Sequence, residues 1–395
     1  MRRIGVEREL RGQAMGLQDN AGLSEGTDRV TTADLLAAFD DPAVTARTLE
    51  FWRHQGLLPK AQRTGQHGKR PEWTYPAEAR DQLAALLQLR TKTKNPDILR
   101  VGLFFEGFPI ETVRVRASII AVLEASLSAI RKEVDKRCSS GAAPEEATWG
   151  ALEQIGRVLA GKRGANAPPR HGRQRREDRE RAMTLAVGLV LGDEGSAARL
   201  ERDAPHVERM IGLDRGRRPR GCLPPWLDGP AGEGLEAFSR YGSLPALIET
   251  MRSASDDELT ASRTLARIIL DGITAFTRIA DAFTGTENAS GFGAIAVFRG
   301  EPMAAVWLLA FTIAAGRSST LNEGLRAAVD SLSQHVLPVD ARARELAGLE
   351  PAELRSRLPE LERLPFVEQV KIKRLVATYR CELTTDPTNS VTPAG

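Results

Sequence analysis

The stretch Thr45-Ala-Arg-Thr-Leu-Glu-Phe-Trp-Arg-His-Gln-Gly-Leu-Leu58 constrains this chain more than any other. Leu49 and Trp52 are three residues apart and share one face of a helix. Arg47, Glu50, Arg53 and His54 fall largely elsewhere. Gly56 stands where a helix C-cap is expected, because glycine accepts the left-handed backbone conformation without steric cost. Leu57 and Leu58 then re-enter a core, and Pro59 stops further helix. A short helix with cations on its outer face suits the major groove of DNA.

This pattern resembles the recognition helix of the MerR-type winged helix-turn-helix regulators. That helix typically reads Arg-Thr-Leu-Arg-Tyr-Tyr-Glu, then a few residues, then Gly-Leu-Leu. The matching residues are Arg47, Thr48, Leu49, Glu50, Phe51, Trp52 and Arg53, then Gly56, Leu57 and Leu58. The chain departs from the family at Glu50, often Arg there, and at Phe51-Trp52, often Tyr-Tyr. Upstream, Thr31 and Thr32 are suited to cap a first helix through Ala33 to Phe39, with Asp34 in its first turn. Downstream, residues 59 to 75 are rich in Lys, Arg, Gly and Pro and end in Trp73-Thr74-Tyr75; in the family this slot is a β-hairpin wing. Pro76 is expected to start the next helix, with Leu83, Leu86, Leu87 and Leu89 on its apolar face. Residues 96 to 116 resemble the family's second helical pair.

The resemblance implies contact roles residue by residue. Thr45 caps the recognition helix and can touch a phosphate. Arg47 and Arg53 lie on or beside the groove-facing side, where the guanidinium fork matches guanine acceptors and grips phosphates. Arg63, Lys69 and Arg70 sit in the wing and clamp the backbone. Tyr75 either donates its hydroxyl to a phosphate or is a core aromatic. Phe51 and Trp52 are expected in the core.

The remaining chain reads as helical. The expected fold class is mainly α: an N-terminal winged helix-turn-helix with a small β wing, followed by a large all-helical C-terminal domain. Residues 1–28 read as an unstructured leader, 29–116 as the DNA-binding head, and 117–160 as a helical connector. Within Glu111 to Arg137, Val115, Ile119, Val122, Leu123, Leu127, Ile130 and Val134 recur at helical steps; this is a dimerisation helix or an ordinary core helix. Residues 161–181 read as a basic linker. Residues 182–383 form a helical domain of unassigned role, and 384–395 a loose tail. In that domain, helices are expected over Met183 to Leu191, Ala197 to Ile211, Leu235 to Met251, Asp256 to Phe283, Met303 to Ala315, Leu321 to Leu332 and Phe366 to Thr378. The stripe from Leu265 to Phe283, beside Trp307 and Phe311, forms a core or lines a pocket for a small apolar ligand.

Composition sets the outer limits. With 42% hydrophobic and 27% charged residues, the chain can bury a core. Its net charge of +3 says little about partners. The three cysteines are far apart, with no Cys-x-x-Cys pair, which suits a reducing cytoplasm. No phosphate-binding glycine loop, nucleophile elbow or histidine pair at metal-ligand spacing occurs. Catalytic residues, metal sites and cofactors are therefore not expected. The most apolar run, Met303 to Ala315, is shorter than the roughly 20 residues of a membrane span. Read with the resemblance, these features imply a cytoplasmic transcriptional regulator. Its partners would be double-stranded DNA, a second copy of the chain and RNA polymerase. Two alternatives stay open. One is a protein-protein interaction module whose helix-turn-helix no longer binds DNA. The other is an excisionase-like DNA-architectural factor.

Overall fold

The computed structural model describes residues 29–39, 41, 44–64, 72–138, 143–161, 176–200, 202–203, 205–206, 239–284, 301–361, 363 and 366–385. It is mainly helical with one small antiparallel sheet. The expected leader, the tip of the expected wing and most of the basic linker lie outside the described residues. The chain divides into two units, Met1–Ala84 and Ala85–Gly395.

In the first unit, β1 (Arg29–Thr31) leads into α1 (Thr32–Ala38), then α2 (Ala46–His54), β2 (Gln62–Thr64) and β3 (Glu72–Pro76). The strand order is β1-β3-β2, with Val30 opposite Tyr75 and Arg63 opposite Trp73. Both helices begin at a threonine. Thr31 Oγ1 accepts from Asp34 N at 3.1 Å, and Asp34 Oδ2 accepts from Thr31 N at 2.9 Å. The Thr31 N–H, with the Thr31 hydroxyl donating to the same oxygen at 2.8 Å, holds the Asp34 carboxyl below its ordinary range. Thr45 and Thr48 make the same reciprocal box on α2. The α2 C-terminus closes as a Schellman turn: Leu57 N donates to Trp52 O, Gly56 N donates to Arg53 O, and Gly56 takes φ 69°. The turn carries Leu57 and Leu58 into a core with Leu35, Leu49, Trp52, Tyr75 and Leu83. Burying each such aliphatic side chain contributes about 1.5–3 kcal/mol. Buried Gln82 Nε2 donates to Leu57 O at 3.0 Å and so ties the turn to the next helix, α3 (Ala79–Arg90). Two expectations change here. Residues 29–31 form a strand, and Pro76 ends β3 opposite Arg29 instead of starting α3. A proline is tolerated at a strand end because little ladder pairing is lost there.

The second unit contains α4 (Pro96–Phe105), α5 (Thr112–Asp135), α6 (Pro144–Gly161), α7 (Arg176–Leu191) and the short α8 (Glu194–Ala198). It continues with α9 (Leu244–Ser253), α10 (Asp256–Thr284), α11 (Pro302–Arg317) and α12 (Ser319–Ser331). A π-helical turn over Leu332–Val336 leads into α13 (Leu337–Ala347), α14 (Pro351–Leu361) and α15 (Phe366–Thr385). The pair expected to complete the head, α4 and α5, belongs to this unit. α4 is buried on all sides from Leu99 to Phe105, and it packs on α5 and α11. The α5 stripe Val115, Ile119, Val122, Leu123, Leu127 and Val134 is also buried within the chain, with α9 among its neighbours. It is a core face, so pairing of two copies would use other residues.

Residues 176–181, expected in the linker, form the first turns of α7. Their charges pair at helical spacing, Arg176 with Glu180 at 2.6 Å and Arg181 with Glu177 at 2.9 Å. α7 packs along α6. α10, 29 residues and about 43 Å long, continues into a further cluster of Ile279, Ala343, Leu346, Ile372 and Leu375. Its expected stripe is only half-buried at Leu265, Ile268, Ile269, Ile273 and Phe276, whereas Leu259, Ala266, Leu270 and Ala275 are buried. α11 is buried at Val306, Leu309, Ala310 and Ile313. No single helix among the described residues is long and apolar enough to cross a membrane.

Ion pairs fasten the corner between α9 and α10. Arg317 Nε and Nη2 each donate to Glu258 at 2.9 Å, and Ser255 N donates to Glu258 Oε2 at 2.8 Å. The Arg317 guanidinium, helped by the Ser255 bonds, holds the Glu258 carboxyl down at about 2. A depressed carboxyl stabilises the fold above its unfolded pKa, and that contribution is lost as pH falls through the folded value. Glu258 is 38% exposed, so solvent screening limits the pair to about 1 kcal/mol. We expect Glu258→Gln to unfold at lower urea concentration than wild type at pH 7, with the gap closing between pH 4.5 and 2. A constant gap across that range would contradict this assignment.

Candidate nucleic-acid interface

The residues of α2 divide cleanly by angle. Leu49 and Trp52 point into the core, 0% and 3% exposed. Arg47, Glu50, Phe51 and His54 follow at steps of three and four, so they share the opposite face, and all four are exposed. Phe51 is 55% exposed, which corrects its expected place in the core. The signal was present: with Leu49 and Trp52 fixed inward, a 100° step per residue turns Phe51 outward.

Arg47 is exposed near the helix start, beside the Thr45 cap. Arg53 lies off the outward stripe, on the flank. Its guanidinium stands 4.4 Å from the centroid of the Trp73 ring on β3 and 3.7 Å from Glu50, and its side chain is only 16% exposed. A guanidinium over an indole face is attracted by the ring quadrupole, by about 0.5–1 kcal/mol or more when partly desolvated. Arg53 therefore ties the helix to the hairpin strand that carries Trp73. Glu50 also lies 3.8 Å from His54 Nε2. The Glu50 carboxylate is thus set between two basic side chains.

Tyr75 is 3% exposed. Burial, the largest influence, raises its hydroxyl above the ordinary phenol range, while a hydrogen bond with Thr32 acts the other way. The structure places it as a core aromatic, the second of the two expected roles. Arg63 is on β2 opposite Trp73. Lys69 and Arg70 lie outside the described residues. The structure therefore gathers Thr45, Arg47 and Arg53 on or beside one helix, with Arg63 on the hairpin, and adds Glu50, Phe51 and Trp73.

The second unit presents different surfaces. A cleft of about 120 Å³ is lined by Phe105 and Leu270 together with Glu106, Arg267, Asp271 and Glu301. Leu89, Gly102, Pro302 and Ala305 complete a lining that mixes apolar and charged groups. No group of His, Cys, Asp and Glu among the described residues is arranged to hold a metal ion. Comparisons with protein-family models, with curated proteins and with solved structures find no match to this chain.

Proposed function

We propose that the first unit is a winged helix-turn-helix and that the protein is a duplex-DNA-binding transcriptional regulator of MerR type. One observation carries the reading: α2 presents an outward face beginning at Arg47, next to an antiparallel hairpin strand linked to it through Arg53 and Trp73. A capped helix with an exposed arginine in its first turn offers both a groove contact and a phosphate contact. The β2–β3 hairpin is the wing, with Arg63 on its first strand. Two copies would engage two half-sites, because one small head buries too little DNA for tight specific binding. The second unit is the seat of dimerisation or effector binding, and RNA polymerase is the further partner that the family resemblance implies.

Mobility shifts with the full chain and a random duplex pool at two salt concentrations test this. Arg47→Ala is expected to weaken binding by about 1–3 kcal/mol, roughly a 5- to 150-fold loss. Lys162→Ala, in the basic segment outside the described residues, should change it much less. Absence of duplex binding at low salt would remove the proposal. The protein-contact reading would then remain, with exposed Phe51 as its best support.

A further inference from the structure

Phe51 is the anomaly of the outward face. A phenyl ring left 55% exposed on a helix surface keeps apolar area in water that binding can recover. It lies one helical turn after Arg47 and one residue after Glu50, on the same face as His54. Arg47 is the exposed guanidinium of this face, and its one carboxylate, Glu50, lies 3.7 Å from Arg53 on the flank. With α2 seated in the major groove as proposed, the partner of the ring is duplex DNA. On such a partner the ring has little choice of target. It carries no donor or acceptor, so it can neither bond a phosphate oxygen nor read the hydrogen-bonding edge of a base. The apolar feature that duplex DNA offers in the major groove is the C5-methyl of thymine.

We infer that Phe51 reads a thymine methyl in the major groove, one helical turn along α2 from Arg47, and so sets sequence preference at that base pair. This rests on the proposed seating of α2 in the groove. Arg47 supplies affinity for any duplex, and Phe51 supplies discrimination at one base pair. The Arg53 guanidinium beside Glu50 partly offsets the carboxylate's repulsion from the anionic groove.

The test uses the full chain and one duplex enriched by it from a randomised pool. Each thymine in the enriched site is replaced singly by deoxyuracil, which removes only the methyl. For the wild type, one replacement per half-site should weaken binding about fourfold, the factor that one buried methyl contributes. Phe51→Ala should bind the thymine duplex more weakly by a similar or larger factor and lose its response to deoxyuracil. Phe51→Leu, which keeps an apolar tip, should retain part of that response, and both variants should keep the wild-type circular dichroism spectrum. If no thymine in the enriched duplex matters to the wild type, or if Phe51→Ala keeps the full deoxyuracil penalty, the inference is overturned and the DNA-binding reading stands. If no duplex is enriched or bound, both fail together.

Discussion

Replacing Gly156 by alanine is expected to lower stability by about 3 kcal/mol, through one methyl group. Gly156 lies in the second half of α6, against Thr184 of α7. A Cβ there would come within 2.7 Å of Thr184 N and 2.9 Å of Thr184 Cα, with the Thr184 hydroxyl nearer still. Backbone atoms cannot rotate aside as a flexible side-chain end can. The two helices would have to separate, opening contacts around buried Ala151, Leu152, Leu185 and Leu189. On a surface helix the same change would stabilise by up to about 1 kcal/mol, because alanine is the better helix former. Gly150→Ala supplies that comparison within the same helix, since nothing lies within 4 Å of its added Cβ. Thermal unfolding of both variants should show opposite signs: a clear fall for Gly156→Ala, little change or a small rise for Gly150→Ala. A Gly156→Ala protein as stable as wild type would mean that α6 and α7 do not approach this closely.

A loss of comparable size is expected from Asp340→Ala. Asp340 is 2% exposed and belongs to a network that joins three helices. It accepts from the Tyr379 hydroxyl of α15 and from Arg344 on its own α13, while Arg344 Nε and Arg278 Nη1 of α10 each donate to the Tyr379 oxygen at 3.2 Å. Burial, then the bond to Asp340, pushes the Tyr379 hydroxyl above the ordinary phenol range. Removing the carboxylate leaves a buried hydroxyl without its acceptor and two guanidinium groups near one another. A bare buried ion would cost about 3–5 kcal/mol, but Arg344 is 44% exposed and water can reach it. We therefore expect about 2–3 kcal/mol. Asp340→Asn keeps an acceptor for the hydroxyl and should lose less. Urea unfolding of the pair checks the order Asp340→Ala below Asp340→Asn below wild type. An Asn variant no better than Ala would put the cost on charge alone.

Much of the fold was legible where hydrophobic period was long and caps were strong. α5 and α10 were expected within two residues of their observed ends, because 24 and 29 residues of helical spacing dominate any local ambiguity. α13 and α14 were not foreseen. Pro338, Pro351 and Pro359 interrupt that segment, and charged residues fill much of α13, which is buried at Ala343, Leu346 and Ala347. The π-turn before α13 accommodates Pro338, which cannot donate to the carbonyl four residues back. β1 has only three residues and no alternation to read. At the candidate interface, the helix, its threonine cap and its glycine stop were legible because each depends on local chemistry. The stacking of Arg53 on Trp73 was not, since it joins residues 20 positions apart through a strand pairing that one-dimensional spacing does not encode.

That stacked arginine changes how the cationic surface should be counted. An exposed cation meeting a phosphate releases condensed counterions, and this release drives the steep salt dependence of DNA binding. Arg53 already shares its charge between an indole face and a carboxylate, and little of its side chain meets water. Its worth at a duplex would lie in rigidity: helix and hairpin arrive as one preassembled clamp, with less ordering entropy to lose on contact.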